Sequence, residues 1–274
     1  MTQKVSKIDY SKAMLPRTRK EQLGDCFKMN YLVLLKCGLL LLLFFVPLLV
    51  FSLFMDFYYI ALMKVSVEDI EQTKTLFFYI LYGGIVILAI PVILVISGIT
   101  HILRNLIWGE GIYFFSDFKA GIKANAAKNM LFGFIAGVIF FVSYFVSTLF
   151  SGLFASYIPL IIFAIVFFPV YFWMVFLNNT YVDKWTGLIR SGFFFYIKNL
   201  VWSIIGILMP LSLILLLFMP FSIIWLKYIL LVLFIVFVFP IIFLIMTLFT
   251  TAKFDQYINR DNYPDYYLKG LNHD

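Results

Sequence analysis

The residues whose types could support chemistry are concentrated between positions 104 and 125. Two carboxylates in this stretch, Glu110 and Asp117, could form a general acid and base pair. Basic side chains surround them, so ion pairing in a solvated loop explains them better. We therefore predict that this stretch binds a partner protein or lipid headgroups. The predicted binding residues are Arg104, Trp108, Glu110, Asp117, Phe118, Lys119, Lys123 and Asn125.

Motifs for catalysis or metal binding are absent from the sequence. It contains no H-E-x-x-H, G-x-S-x-G or G-x-x-x-x-G-K pattern. Two histidines, His101 and His273, are too few to build a metal cluster. Cys26 and Cys37 are too far apart along one helix to form a disulfide. We therefore expect no catalytic residue, no metal and no cofactor, in a protein that is not an enzyme.

The composition is typical of an integral membrane protein. Of the 274 residues, 64% are hydrophobic and 13% are charged, and the mean hydropathy is +1.01. A soluble domain of this length could not shield so much apolar surface from water. The net charge of +7 comes mostly from basic residues between apolar runs, which favours an anionic membrane surface over nucleic acid. We expect the lipid bilayer as a partner and no nucleic acid.

Six apolar runs are each long enough to cross the hydrocarbon core as a helix, which takes about 20 residues. Backbone polar groups in lipid must be bonded within their own segment, so these runs predict helices. The expected fold is an all-α bundle of six transmembrane helices in one domain, residues 31–250, between a basic segment, 1–30, and a tail, 251–274. The predicted spans are 32–55, 77–101, 130–150, 154–177, 200–222 and 226–250.

The distribution of lysine and arginine predicts the orientation. Seven precede the first run, four lie in the second loop, and three each lie in the fourth loop and the tail. The opposite side has Lys64, Lys74 and Lys227. The positive-inside rule then places both termini of this multi-pass protein in the cytoplasm.

A weak repeat divides the chain into three parts. Residues 24–31, 116–125 and 190–199 each precede an odd-numbered span and combine aromatic and basic residues with an asparagine. The pattern predicts three helical hairpins, each preceded by a short cytoplasmic amphipathic helix. Two of these helices, 115–128 and 184–198, are expected to lie in the headgroup layer.

Tryptophans and glycines add two further predictions. Rings near the ends of apolar runs are typical of interfacial anchors. Gly133 and Gly137 form a G-x-x-x-G motif, which permits close helix packing and is more often used inside a bundle than for dimerisation. The sequence leaves the oligomeric state open. The predicted anchors are Trp173, Trp185, Trp202 and Trp225.

The stretch from Pro91 to Gly137 carries a resemblance to a known family. It contains a proline in a span, then Arg104, a Gly109-Glu110-Gly111 turn, an aromatic helix with Asp117-Phe118, and Asn125. In this order it resembles the YesL-like family of bacterial membrane proteins. The resemblance implies a six-span protein without an established biochemical activity. It also implies the setting of carbohydrate uptake systems in Gram-positive bacteria.

Three functions remain open at this point. The leading hypothesis is a non-enzymatic membrane accessory protein that engages a carbohydrate transporter or sensor through its cytoplasmic face. The alternatives are a permease for a small neutral or amphiphilic solute and a membrane-embedded enzyme that modifies lipids. Polar residues of the spans converging on one water-filled cavity would favour the permease, whereas a closed bundle would favour the accessory protein.

Overall fold

A computed structural model describes residues 15–63, 70–149, 154–206 and 224–272. This part of the chain is almost entirely helical and contains no strand. The predicted all-α membrane bundle is therefore confirmed. The helices are α1 (Arg19–Met63), α2 (Ile70–Leu88), α3 (Ile90–Ile107), α4 (Phe114–Leu149), α5 (Ile158–Thr180), α6 (Trp185–Lys198), α7 (Leu200–Gly206) and α8 (Ile224–Asn262).

Five helical stretches of the described residues are long and apolar enough to cross a membrane. They are α1, α2 joined with α3, α4, α5 and α8, and they match five of the predicted runs. A sixth span is counted if α6 and α7 are taken as one bent unit. Most of the remaining predicted run, 200–222, lies outside the described residues.

Prolines shape two of these helices through short π-helical turns. One turn, Phe163–Phe167, is followed directly by Phe168-Pro169, and the other, Phe234–Val238, by Phe239-Pro240. Proline donates no backbone hydrogen bond and its ring crowds the carbonyl one turn earlier. A wider turn at that point relieves the clash while the helix continues.

Two asparagines mark the breaks that precede apolar helices. Asn30 (φ −124°, ψ 22°) kinks α1, and Asn199 (φ −129°, ψ 40°) ends α6. At the second break the chain bends by 101° into α7. The two positions correspond in the repeat predicted from the sequence, and they adopt nearly the same backbone conformation.

The third repeat position behaves differently, because α4 runs without a break through Asn125. The prediction of a separate amphipathic helix over 115–128 is therefore wrong, whereas a distinct helix is present at Trp185–Lys198. With 36 residues, α4 is about 54 Å long, well beyond the roughly 30 Å of a hydrocarbon core. A helix of this length therefore extends past the hydrocarbon core at one end or at both.

Glycines allow α3 and α4 to pack closely. A Cβ atom on Gly98 would lie 2.3 Å from the ring of Phe118, and one on Gly121 would lie 2.5 Å from the Cβ of His101. The predicted use of Gly133 and Gly137 inside the bundle is confirmed, since their faces meet Ile93 and Val86 of the preceding helices.

We expect Gly121→Ala to lower the free energy of unfolding by about 1 to 3 kcal/mol, because the added methyl group must displace packed backbone. The control is Gly24→Ala in α1, where a Cβ would meet no atom within 4 Å. That change should be neutral or stabilise the helix by up to about 1 kcal/mol. Unfolding of both purified variants in dodecyl maltoside measures the difference. Equal stabilities would show that α3 and α4 are not packed at Gly121.

Candidate functional site

The two ends of the described chain meet the loop between α3 and α4 at one end of the bundle. The backbone N–H of Asn272 donates to the carbonyl oxygen of Pro16 over 2.9 Å. Gln22 is 3% exposed and its amide donates to the carbonyl oxygens of Ile107 and Gly270. We call this region the polar end. It comprises residues 15–30, 108–113, 181–184 and 255–272.

Asp255 is the centre of one buried cluster in the polar end. Its Oδ2 lies 2.7 Å from Nη2 of Arg19, and the two side chains are 6% and 17% exposed. Its Oδ1 accepts hydrogen bonds from the Asn259 amide (2.8 Å) and the Leu268 backbone N–H (3.1 Å). Asp255 therefore fastens the first helix, the last helix and the tail to one carboxylate.

Tyr181, in the α5–α6 connection, joins the same cluster. Its hydroxyl donates to Oδ1 of Asn259 over 2.5 Å. Burial raises the pKa of Tyr181, and the nearby Asp255 carboxylate raises it further. The phenol therefore stays neutral and remains a hydrogen-bond donor at physiological pH.

The tail packs on the α3–α4 loop through Trp108. The Lys269 ammonium lies 4.2 Å from the centre of the Trp108 ring, and the Arg104 guanidinium lies 4.6 Å from it. Lys269 also forms a 2.7 Å ion pair with Glu110. Gly270 has φ +84°, and a Cβ there would lie 1.9 Å from the Ile107 carbonyl oxygen, so only glycine fits.

A second buried cluster lies between α3, α4 and α5, and we name it the amide network. Its six polar side chains are between 0% and 6% exposed. It begins beneath the polar end, where the Asn179 amide donates to Oγ1 of Thr100 over 2.7 Å. The members are Ser97, Thr100, Asn125, Asn129, Asn178 and Asn179.

Within the network the amides bond one another. Asn125 donates to Oδ1 of Asn179 over 2.6 Å. Asn178 donates to Oδ1 of Asn129 over 2.8 Å, and Asn129 donates to Oγ of Ser97 over 2.9 Å. Buried amides that find such partners stabilise a unique packing. The network is closed on itself, so these side chains hold three helices together.

Arg104 connects the amide network to the loop. Its guanidinium donates to the Asn179 carbonyl oxygen and to Oδ1 of Asn105, and it contacts Nδ1 of His101 at 3.0 Å. Together with its position over Trp108, these contacts hold the side chain partly inside the protein. Arg104 is therefore a link between the two clusters.

The structure buries four of the eight predicted binding residues. Trp108 and Phe118 are each 8% exposed, Asn125 is 6% and Asp117 is 4%. The Phe118 ring, predicted to bind a partner, is therefore not available at the surface, because it packs on Gly98. Asp117 instead accepts the backbone N–H of Tyr113 over 2.8 Å at the start of α4.

The exposed part of the predicted site forms a stripe along the first turns of α4. Lys119 and Lys123 are exposed, and Phe115, which we did not predict, is 69% exposed. These three residues, which we name the α4 stripe, recur every fourth position and so share one face of the helix. Glu110 is partly exposed and paired with Lys269. The spacing of four residues between Phe115, Lys119 and Lys123 could have predicted that Phe115 shares a helix face with the two lysines.

The prediction that Trp173 is an interfacial anchor is wrong. It is 0% exposed, stacks on Phe195 at 5.0 Å, and donates to Oγ of Ser203 over 2.8 Å. A ring enclosed by protein cannot sit among headgroups. Trp185, Trp202 and Trp225 are 37%, 58% and 65% exposed, and their anchoring role stays a prediction.

An ion pair that we did not predict joins α1 to α8 at the opposite end of the bundle. Nζ of Lys227 lies 2.8 Å from Oδ2 of Asp56, with side-chain exposures of 4% and 30%. The Tyr228 hydroxyl donates to the same oxygen over 2.8 Å, and it contacts Oγ of Ser52 at 3.0 Å. The sequence indicates that Asp56 and Lys227, which have opposite charges, lie near the same side of the membrane, and this was the signal that could have predicted the ion pair.

No family model, curated protein or solved structure matches this chain. The geometry of the polar end is therefore the basis for assigning a function. That end has an interior held by hydrogen bonds and ion pairs, and the first turns of α4, which follow its 108–113 segment, carry the exposed α4 stripe.

Proposed function

We propose that this chain is a non-enzymatic membrane accessory protein that binds a partner protein through the α4 stripe in the cytoplasm. The observation that carries the proposal is the exposure of Phe115, Lys119 and Lys123 on a helix whose opposite face is fixed by α3 and α5. An aromatic ring can anchor a protein interface, while charges mainly set encounter and register. A rigid stripe of this kind loses little entropy on binding.

The amide network supports docking over transport. A solute path needs polar groups that face an open route, but the network amides are satisfied by one another and by backbone carbonyls. Two cavities in the described part of the chain, about 470 and 50 Å³, are lined by residues of the polar end and its adjoining helix turns. The polar groups of α3, α4 and α5 therefore act as internal fastenings in this proposal.

The orientation and the class of partner follow from charge and resemblance. The basic residues of the polar end favour the cytoplasmic side of a bacterial plasma membrane. Lys119 and Lys123 suit an acidic surface on the partner. The resemblance of the Pro91–Gly137 stretch to the YesL-like family supports a transporter or sensor of a carbohydrate uptake system as that partner.

The permease alternative has one observation in its favour. Lys227 and Asp56 form an ion pair within helices that the account places across the membrane, and ionisable residues in such positions are often functional. Retention of any transport activity after both residues are replaced by neutral ones would count against this alternative.

Affinity capture of the full chain from its host after chemical cross-linking tests the docking proposal. We expect the Lys119→Glu/Lys123→Glu variant to lose about 90% of a specifically recovered partner, because reversal of two charges opposes an acidic surface. Phe115→Ala should reduce recovery by a similar factor. Quantitative mass spectrometry of the captured proteins provides the measurement.

The matched control is Lys20→Glu/Lys28→Glu, which reverses two exposed charges on α1 at the same end of the protein. This control should recover the partner at the unmodified level, and all variants should reach the membrane equally. If both double variants lose the partner to the same extent, binding depends on total charge and the α4 stripe is not the docking face.

A further inference from the structure

A cleft separates α6 from the end of α8 and the α5–α6 connection. Its volume is about 470 Å³, within the range of roughly 300 to 1,000 Å³ that small-molecule sites usually have. It shares no lining residue with the α4 stripe. The partner-docking role therefore does not account for it.

The base of the cleft is apolar and aromatic. Leu177, Leu188 and Phe195 line it and are 2%, 1% and 0% exposed. Tyr181 also lines it, but its hydroxyl is already bonded to Asn259. These side chains close the base of the cleft, so a ligand would contact mainly the more exposed residues at its mouth.

The mouth of the cleft has a different chemistry. Phe194 and Tyr263 are each 43% exposed there, beside the exposed carboxylate of Asp183. Ser191 and Asn262 add neutral polar groups, and the lining residues that the structure describes include no lysine or arginine. Aromatic faces and a carboxylate together are complementary to an organic cation.

Basic side chains lie near the mouth, so selectivity for a cation over an anion depends on the Asp183 carboxylate. The Lys128 ammonium donates to the backbone oxygen of Asp183 over 2.6 Å, and Lys184 is the next residue along the chain. Oδ1 of Asp183 accepts the Lys184 backbone N–H over 2.6 Å, which fixes the carboxylate at the start of α6. The charge on Asp183 offsets the charges of these two lysines near the mouth.

We propose that this cleft binds an organic cation at its mouth, with the ammonium group held by the Asp183 carboxylate and the rings of Phe194 and Tyr263. The ligand class follows from the aromatic rings at the mouth and from Asp183, the carboxylate among the described lining residues. This site is separate from the α4 stripe and does not depend on the proposed partner.

Titration calorimetry with the full chain in dodecyl maltoside tests the proposal, with benzyltrimethylammonium as the probe. Benzyl alcohol and phenylacetate serve as neutral and anionic comparators of similar size. We expect the cation to bind most tightly and phenylacetate most weakly. Asp183→Asn should weaken binding of the cation by about three- to tenfold and leave benzyl alcohol unchanged.

The matched control is Asp261→Asn, which removes an exposed carboxylate that does not line the cleft and should not alter binding. Ser191→Phe fills the mouth without changing charge and should abolish binding of all three compounds. The proposal is overturned if no compound binds, if benzyl alcohol or phenylacetate binds as tightly as the cation, or if Ser191→Phe retains full binding. Should Asp183→Asn fail to fold, the order of the three affinities and Ser191→Phe still decide.

Discussion

Asp255→Ala is expected to lower the free energy of unfolding by about 3 to 5 kcal/mol, because it leaves a buried cation without its counter-charge. The substitution removes the ion pair with Arg19 and the acceptor for Asn259 and the Leu268 backbone N–H. Arg19 is only 17% exposed, so water compensates for little of the loss. Reversible unfolding in mixed micelles would measure the change, and limited proteolysis should show faster cleavage within 263–272.

Two comparisons separate this effect from a general loss of charge. Asp261→Ala removes an exposed carboxylate of the same helix end and should change stability by no more than about 0.5 kcal/mol. Lys269→Ala breaks a pair whose side chains are 32% and 27% exposed, for which we expect about 1 kcal/mol. If Asp255→Ala is no more harmful than Asp261→Ala, Asp255 does not fasten the polar end.

Lys227→Met is expected to destabilise the protein by about 2 to 4 kcal/mol by leaving Asp56 without its cation between α1 and α8. Asp56→Leu should have a comparable effect, because it leaves Lys227, with a side chain 4% exposed, unpaired. The double variant should recover most of the loss, since an apolar pair of similar volume avoids the desolvation of two charges. Unfolding of the four proteins in the same micelles completes a double-mutant cycle.

Lys36→Met is the control for loss of a lysine from a span, since Lys36 is exposed on α1. It should leave stability within about 0.5 kcal/mol of the unmodified protein. Additive losses in the Asp56→Leu/Lys227→Met protein would mean that the two residues do not interact, which would contradict the contact between α1 and α8.

The apolar spans could be predicted because composition and length alone specify them. Exposure along α4 could not, because polar residues there do not all face water. Asn125 and Asn129 look like surface residues in the sequence, yet they bond amides on α5. Phe118 lies on the same buried face of α4 as these asparagines, whereas Phe115 lies on the exposed face with Lys119 and Lys123. Polarity predicts exposure only where no complementary polar group lies on a neighbouring helix.

The polar end was also beyond the reach of the sequence, because its contacts join distant positions. Arg19 and Asp255 are 236 residues apart, and Lys269 and Glu110 are 159 apart. Nothing local distinguishes Asp255 from the other tail carboxylates. The charge count correctly grouped these segments at one end of the bundle, but the choice of partners depends on the packing of α1, α3 and α8.

Sidedness labelling most directly tests the central claim that the tail and the α4 stripe both face the cytoplasm. Single substitutions Lys123→Cys, Asp261→Cys and Glu68→Cys can be treated with a membrane-impermeant maleimide, because Cys26 and Cys37 are buried. We predict that the cysteines at 123 and 261 react only after permeabilisation, and that the one at 68 reacts in intact cells. Reaction at 123 or 261 in intact cells would contradict the account.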